Sequence, residues 1–216
     1  MTINPLDVPP DPAVPFQPRS GQRGSGFLTG PHRLGTTPSS TVGPYLAIGL
    51  TMADGPWAAA EGTDGGIWIR GRVFDGAGDV VPDAMVETWQ ADPDGRFPSP
   101  EDPRGASSYP GFRGWSRVPT LPGEFGLFTL KPGRVPDGEG GLQAPHLDVS
   151  LFSRGLLDRV VTRIYFADEA EANDEDVVLR GLSDEQRRTL IAERTDDGYR
   201  LDIHLQGDRE TVFFAV

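Results

Sequence analysis

Residues 131–166 read KPGRVPDGEGGLQAPHLDVSLFSRGLLDRVVTRIYF. A loop rich in Gly and Pro opens the stretch, and a strand is predicted over 144–148. An arginine follows in Leu151-Phe152-Ser153-Arg154-Gly155, and a second strand closes the stretch over 162–166. Side chains alternate across a strand, so His146 and Asp148 share one face. An imidazole and a carboxylate at that spacing can both reach one metal ion. Whether they do is the question this stretch poses.

Working outward, residues 124–130 form a strand that runs into the loop. Residues 67–74 alternate as a half-buried strand, 75–79 turn, and 84–89 continue as its partner strand. Asp92-Pro93-Asp94-Gly95 turns the chain sharply. From 97 to 120 the pattern dissolves into Pro, Gly, Ser and Arg, a loop of about 24 residues and long enough to be functional or interfacial. Downstream, the acidic segment 168–176 reads as a solvated surface with one helical turn. Ser183-Asp184-Glu185-Gln186 is a capping box, opening a helix expected to end near Arg194. Residues 199–206 alternate strictly, and 211–214 end the chain in a strand. With 28 Gly and 21 Pro punctuating it, the chain is predicted to be all-β. The expected fold is a two-sheet β-sandwich with one or two short helices. Residues 1–35, rich in Pro and Gly and without periodicity, form an extended N-terminal arm, and residues 36–216 the sandwich domain.

The totals narrow the function. A net charge of −12 and a pI near 4.6 argue against nucleic acid or an anionic membrane as partner. The absence of cysteine excludes disulfides, thiolate metal sites and cysteine nucleophiles, and fits a cytoplasmic protein. No apolar run approaches the roughly 20 residues that span a bilayer, and no signal peptide is read at the N-terminus.

Two readings of the metal question come from the residues themselves. His146-x-Asp148 with His204 has the composition of a two-histidine, one-carboxylate triad, as in a self-sufficient non-haem Fe(II) oxygenase. Such an enzyme dependent on 2-oxoglutarate would also carry an arginine about ten residues past its distal histidine; position 214 is Phe, and Arg209 comes too early. The plainer reading makes His146 a histidine near a site or interface, bonded to backbone. A non-catalytic β-sandwich binding module is a further alternative.

Six runs, in order, carry a resemblance: TVGPYLAIGL (41–50), RVFDGAGDVVPDAMVETWQADPDG (72–95), GEFGLFTLKPG (123–133), APHLDVSLFSRGLL (144–157), TRIYFADEAEAN (162–173) and DIHLQGDRETVFF (202–214). From about residue 36 onward the chain resembles the intradiol ring-cleavage dioxygenases, and within them the alpha-type chains of heteromeric members. The resemblance implies an Fe(III) enzyme that opens an aromatic diol with O2 between its two hydroxyl-bearing carbons. It also implies a metal held by two tyrosines and two histidines, one tyrosine soon after the KPG turn and a His-x-His on the next strand.

This chain departs at those points. Val135 stands where the tyrosine is expected, and Asp148 replaces the second histidine; Tyr109 is the candidate for the other tyrosine. The resemblance therefore implies that a homologous beta subunit bears the iron, while this chain binds no metal and carries no catalytic residue. It implies a substrate-lining role for Thr41, Gly43, Pro44 and Arg154, in a higher-order alpha–beta oligomer acting on 3,4-dihydroxybenzoate. A guanidinium suits the ring carboxylate of that substrate. Taken without the resemblance, Arg154 reads as one half of a structural salt bridge. Arg134, Arg159 and Arg163 are read as surface or interface charges.

Overall fold

The computed structural model describes residues 46–215. The expectations placed on the arm (1–35) and on Thr41, Gly43 and Pro44 lie outside the described residues.

Alternation of buried and half-buried positions builds the sheet. Its strands in chain order are β1 (Gly66–Gly71), β2 (Val73–Phe74), β3 (Met85–Trp89), β4 (Trp115–Pro119), β5 (Phe125–Leu130), β6 (Val135–Pro136), β7 (Leu142–Gln143), β8 (His146–Phe152), β9 (Val160–Phe166), β10 (Ile191–Thr195), β11 (Gly198–Arg200) and β12 (Ile203–His204). Eight of them join in the order β4-β3-β8-β9-β10-β11-β1-β5. In β8 the apolar Leu147, Val149 and Leu151 point inward, and Asp148, Ser150 and Phe152 outward. The inward rows of both halves meet in one core. Val86, Val118, Leu147 and Ile164 come from the β4–β9 half, and Ile69, Leu127, Ala192 and Tyr199 from the β10–β5 half. The edge strands β4 and β5 lie against each other. The ladder is thus continuous, folded over itself into the expected sandwich.

The order of strands differs from the sequence reading in one respect. β1 pairs with β5 and β11, whereas β3, expected as its hairpin partner, pairs with β4 and β8. The 75–79 turn is present, held by the Asp75 carboxylate on the Ala77 and Asp79 amides. It returns the chain only as far as Val80, opposite Phe74, before the chain crosses to the other half. The presumed 97–120 loop is also shorter, because β4 occupies its end. Inward from β4 points Ser116, whose hydroxyl meets that of Thr88 at 2.7 Å. A satisfied polar pair in the core leaves no apolar alternation to read.

Four short helices are described: α1 (Leu46–Gly49), α2 (Ala170–Glu175), α3 (Val177–Arg180) and α4 (Asp184–Arg188). The capping box at Ser183 is formed, but α4 stops at Arg188 rather than near Arg194. The buried Leu190 and Ala192 belong to the strand pattern that pairs β10 with Tyr165 and Phe166. Residues 199–206 also divide, because the Asp202 carboxylate takes the Arg72 amide at 3.0 Å in place of a backbone partner. Residues 211–214 form no strand; Phe214 makes a single bridge to Val161.

A second, smaller core positions the site. Ala144, Tyr165, Ala172, Leu179 and Leu190 pack together between the outer face of the sheet and the helices. The acidic segment read as solvated contributes a fully buried residue, Asp176, to this layer. On the neighbouring flank the 92–95 turn sits tightly on Gly133, whose amide donates to the Asp92 carbonyl at 2.9 Å. Gly95 has φ +78° there, and a Cβ on it would run into the Arg134 carbonyl, so only glycine suits the position.

Candidate functional site

β8 carries the two candidate regions at opposite ends. His146 is its first residue, and Arg154 lies two residues past its last. Six strand steps separate His146 from Phe152, roughly 20 Å at the usual rise. The structure does not bring Arg154 to the His146 corner.

That corner is built from antiparallel register. His146 faces Tyr165, and Asp148 faces Arg163, across the β8–β9 ladder. Both pairs lie on the outer face of the sheet, His146 and Tyr165 within the helical layer. His146 Nδ1 is 2.7 Å from the Ala144 carbonyl. A carbonyl only accepts, so Nδ1 carries the proton and Nε2 presents a bare lone pair. Nε2 lies 3.8 Å from Asp148 Oδ1. The same carboxylate oxygen accepts from Arg163 Nε at 2.9 Å. Arg163 Nη1 donates to Gln143 Oε1 at 2.8 Å and to the Tyr165 hydroxyl at 3.3 Å. Tyr165 in turn donates to Asp176 Oδ1 at 3.4 Å.

The electrostatics follow from this packing. Burial, and then the Arg163 charge, holds the His146 imidazole below its ordinary pKa. Burial pushes the Tyr165 phenol well up. Arg163 stays charged: burial works against the guanidinium, but Tyr165 and Asp148 outweigh it and raise its pKa. Unfolding releases His146 to water, where imidazole takes a proton near pH 6.5. Below that pH the unfolded chain binds a proton that the folded chain refuses, so stability falls as pH falls. Thermal melts between about pH 7.5 and 5.5 should therefore drop more steeply for the parent chain than for His146→Gln. Equal slopes would show that His146 is not buried neutral.

The corner does not fit ferric iron. Two phenolates and two imidazoles would be needed in the family's arrangement, and the side chains present are otherwise. Val135 is buried in β6 opposite Gln143 and offers no donor atom. Asp148 is engaged with Arg163. Tyr109 packs against the cluster of Ala59, Phe112, Phe128 and Leu130, with its hydroxyl 3.4 Å from Asp94 Oδ1. Burial first, and Asp94 next, raises its pKa. The oxygenase triad fares no better. His204 stacks on Phe74 at 4.8 Å, and among the described residues no three of His, Asp and Glu converge to hold a metal.

Beside the corner, Trp89 opposes Asp148 on the ladder and lines a cavity of about 730 Å³ with Phe97, Ser99, Glu101, Asp102, Arg104 and Pro136. Trp89 and Phe97 stack at 5.9 Å. Arg104 is spent inside its own loop, donating to both Asp102 oxygens at 2.9 and 2.7 Å.

At the other end of β8, Arg154 Nε pairs with Asp83 Oδ2 at 3.0 Å, and its side chain remains 68% exposed. Leu157 in the same turn is fully exposed, and Leu121 and Val80 are also exposed. Thr120 ties that end together through its hydroxyl, which donates to the Val81 carbonyl at 2.9 Å and accepts from the Ala84 amide at 3.0 Å. Both the salt-bridge reading and an exposed guanidinium are thus realised in one residue.

Arg163, read from the sequence as a surface or interface charge, is in the structure no open-surface residue but the half-buried centre of the corner, its side chain 21% exposed. The signal was present. Pairing His146 with Tyr165 in an antiparallel hairpin necessarily sets Asp148 opposite Arg163, a match of opposite charges on one face.

Comparison with known proteins accords with this geometry. A family model described as Dioxygenase matches residues 42–207. The chain is 43% identical over 198 residues to the protocatechuate 3,4-dioxygenase alpha chain of Burkholderia cepacia, covering 83% of this chain and 97% of that one. It is 33% identical over 153 residues to the protocatechuate 3,4-dioxygenase beta chain of Burkholderia cepacia, covering 65% of this chain and 64% of that one. Among solved structures, catechol 1,2-dioxygenase from Acinetobacter sp. ADP1 shares the fold, with a TM-score of 0.53 at 18% identity over 72% of this chain and 62% of that one.

Proposed function

The chain belongs to the intradiol dioxygenase family, and from that premise we propose that it is the iron-free, alpha-type subunit of a heteromeric protocatechuate 3,4-dioxygenase. The assembly adds O2 to 3,4-dihydroxybenzoate and yields 3-carboxy-cis,cis-muconate, both oxygen atoms entering the product. A homologous beta subunit holds the Fe(III), which makes the bound diol reactive towards O2. This chain supplies pocket wall, carboxylate recognition and assembly surface, in a cytoplasmic oligomer.

One observation carries the reading. Where the family needs iron donors, this chain has Val135, a carboxylate at 148, and an arginine bound to that carboxylate at 2.9 Å. A partial donor set does not make a weaker version of the full site, because coordination number and geometry go with the ligands. The end bearing Arg154, Leu157, Leu121 and Val80 suits a partner surface, since it joins a cation to exposed apolar side chains. In this reading Arg154 reaches across to the carboxylate of a diol held on the partner's iron, and Thr41, Gly43 and Pro44 line the same pocket. Among the described residues no helix is long and apolar enough to cross a membrane.

Co-expression with a beta-type chain tests the proposal. The complex should be coloured, contain iron and cleave 3,4-dihydroxybenzoate, and this chain separated from it should be colourless and inactive. The reading fails if this chain, purified alone, holds stoichiometric iron and opens aromatic diols.

A further inference from the structure

We infer that Arg163 is a built-in cation closing a latent metal site, and that its removal would open the His146 and Asp148 corner to a divalent ion. The inference concerns this chain alone and stands whether or not the partner reading holds.

The donors around the guanidinium are those that would bind a metal. A carboxylate oxygen of Asp148 at 2.9 Å, the amide oxygen of Gln143 at 2.8 Å and the phenol oxygen of Tyr165 at 3.3 Å all accept from Arg163. His146 adds a bare Nε2 lone pair 3.8 Å from Asp148 Oδ1. Two donors each about 2.1 Å from a tetrahedral ion lie roughly 3.4 Å apart, so a shift of a few tenths of an ångström would suffice. The Nδ1 hydrogen bond to the Ala144 carbonyl is the kind of support that orients a metal-bound imidazole. Three elements, β7, β8 and β9, hold these groups, so the corner does not rely on a loop to form.

Charge explains why a metal would be refused. Neutral His146, anionic Asp148 and cationic Arg163 sum to zero, and the guanidinium already engages Asp148, Gln143 and Tyr165. An incoming divalent ion would meet a like charge and would have to strip Asp148 of its partner. Without Arg163, the Asp148 carboxylate loses its cation while the His146 Nε2 lone pair stays 3.8 Å from its oxygen. A mixed nitrogen and oxygen donor set of this kind takes Zn²⁺ or Co²⁺. In the assembled protein, the arginine would keep this chain from competing for metal.

The test uses the full-length chain with Co²⁺ as probe, read by calorimetry, bound metal per chain and the visible cobalt spectrum. Arg163→Met should take up one Co²⁺ per chain at least tenfold more tightly than the parent, and the added His146→Gln substitution should abolish the gain. Thermal shift guards against a folding defect, because a ligand that binds only the folded chain raises its melting temperature. A variant that folds only when Co²⁺ is present supports the inference. It is overturned if Arg163→Met stays unfolded with Co²⁺, if it folds and takes none, or if the parent binds Co²⁺ as tightly through His146.

Discussion

Arg154→Ala in the assembled enzyme is expected to lower kcat/KM for 3,4-dihydroxybenzoate about a hundredfold, with iron content unchanged and the melting temperature nearly so. The small stability effect follows from exposure. The Arg154 side chain is 68% exposed and pairs with Asp83 at 3.0 Å, and surface ion pairs of this kind contribute about 0–1 kcal/mol. The kinetic effect follows from the proposed contact with substrate. A hydrogen bond to a charged group is worth about 1.5–3 kcal/mol, and each 1.4 kcal/mol is tenfold. The substrate carboxylate does not react, so its contact is alike in the ground and transition states. The loss should then appear mostly as a raised KM, with kcat little changed. Catechol, which lacks the carboxylate, is the internal control: its cleavage should be indifferent to the substitution. Arg154→Lys should retain part of the effect, as a point charge without the planar fork. Equal losses on both substrates would make Arg154 a structural residue of the interface, and no loss on either would remove it from the pocket.

What was legible beforehand has a physical pattern. β5 and β9 were readable from their apolar residues, whereas the strand read over 144–148 runs instead from His146 to Phe152, carried inward by Leu147, Val149 and Leu151. The Ser183 capping box was readable because its hydrogen bonds are local. β4 was not, since its inward Ser116 is satisfied by Thr88 from another strand, a pairing that no window of sequence contains. The partner of β1 was misread for a similar reason: Gly198 and Phe128, far along the chain, flank Trp68 on either side. At the site, the His146-x-Asp148 pair was visible in the sequence, and the structure places both residues on the outer face of one sheet corner. Arg163 was missed because its role depends on the register between two strands rather than on its own neighbours. The placement of Arg154 past the far end of β8 likewise required only the strand's direction, and it sets Arg154 apart from the His146 corner.

The acidic stretch 168–176 is largely exposed and forms the helical turn read for it, yet its last residue is buried and yields the largest expected stability effect. Asp176→Ala should destabilise the folded chain by about 3–4 kcal/mol. The carboxylate is fully buried and joins three elements. Oδ1 caps α3, accepting from the amides of Val178 and Leu179 at 2.9 and 3.0 Å. Oδ2 accepts from the Ala144 amide at 2.8 Å, and the Tyr165 hydroxyl donates to Oδ1 at 3.4 Å. Losing the cap alone costs about 0.5–2 kcal/mol, and each donor left buried without a partner adds about 1–3 kcal/mol. Relief from desolvating the anion offsets part of that sum, which keeps the total below simple addition. Asp176→Asn separates the contributions. Its amide oxygen can still cap α3, but its NH₂ would face the Ala144 amide, donor against donor, so about half the loss is expected. Urea unfolding measures both variants. Because Tyr165 links Asp176 to Arg163, the Ala variant should also loosen the guanidinium at the corner. Hydrogen exchange on β8 and β9 should then rise ahead of global unfolding. A loss below about 1 kcal/mol would mean that the helical layer is anchored by its apolar contacts alone, through Ala172, Leu179 and Leu190.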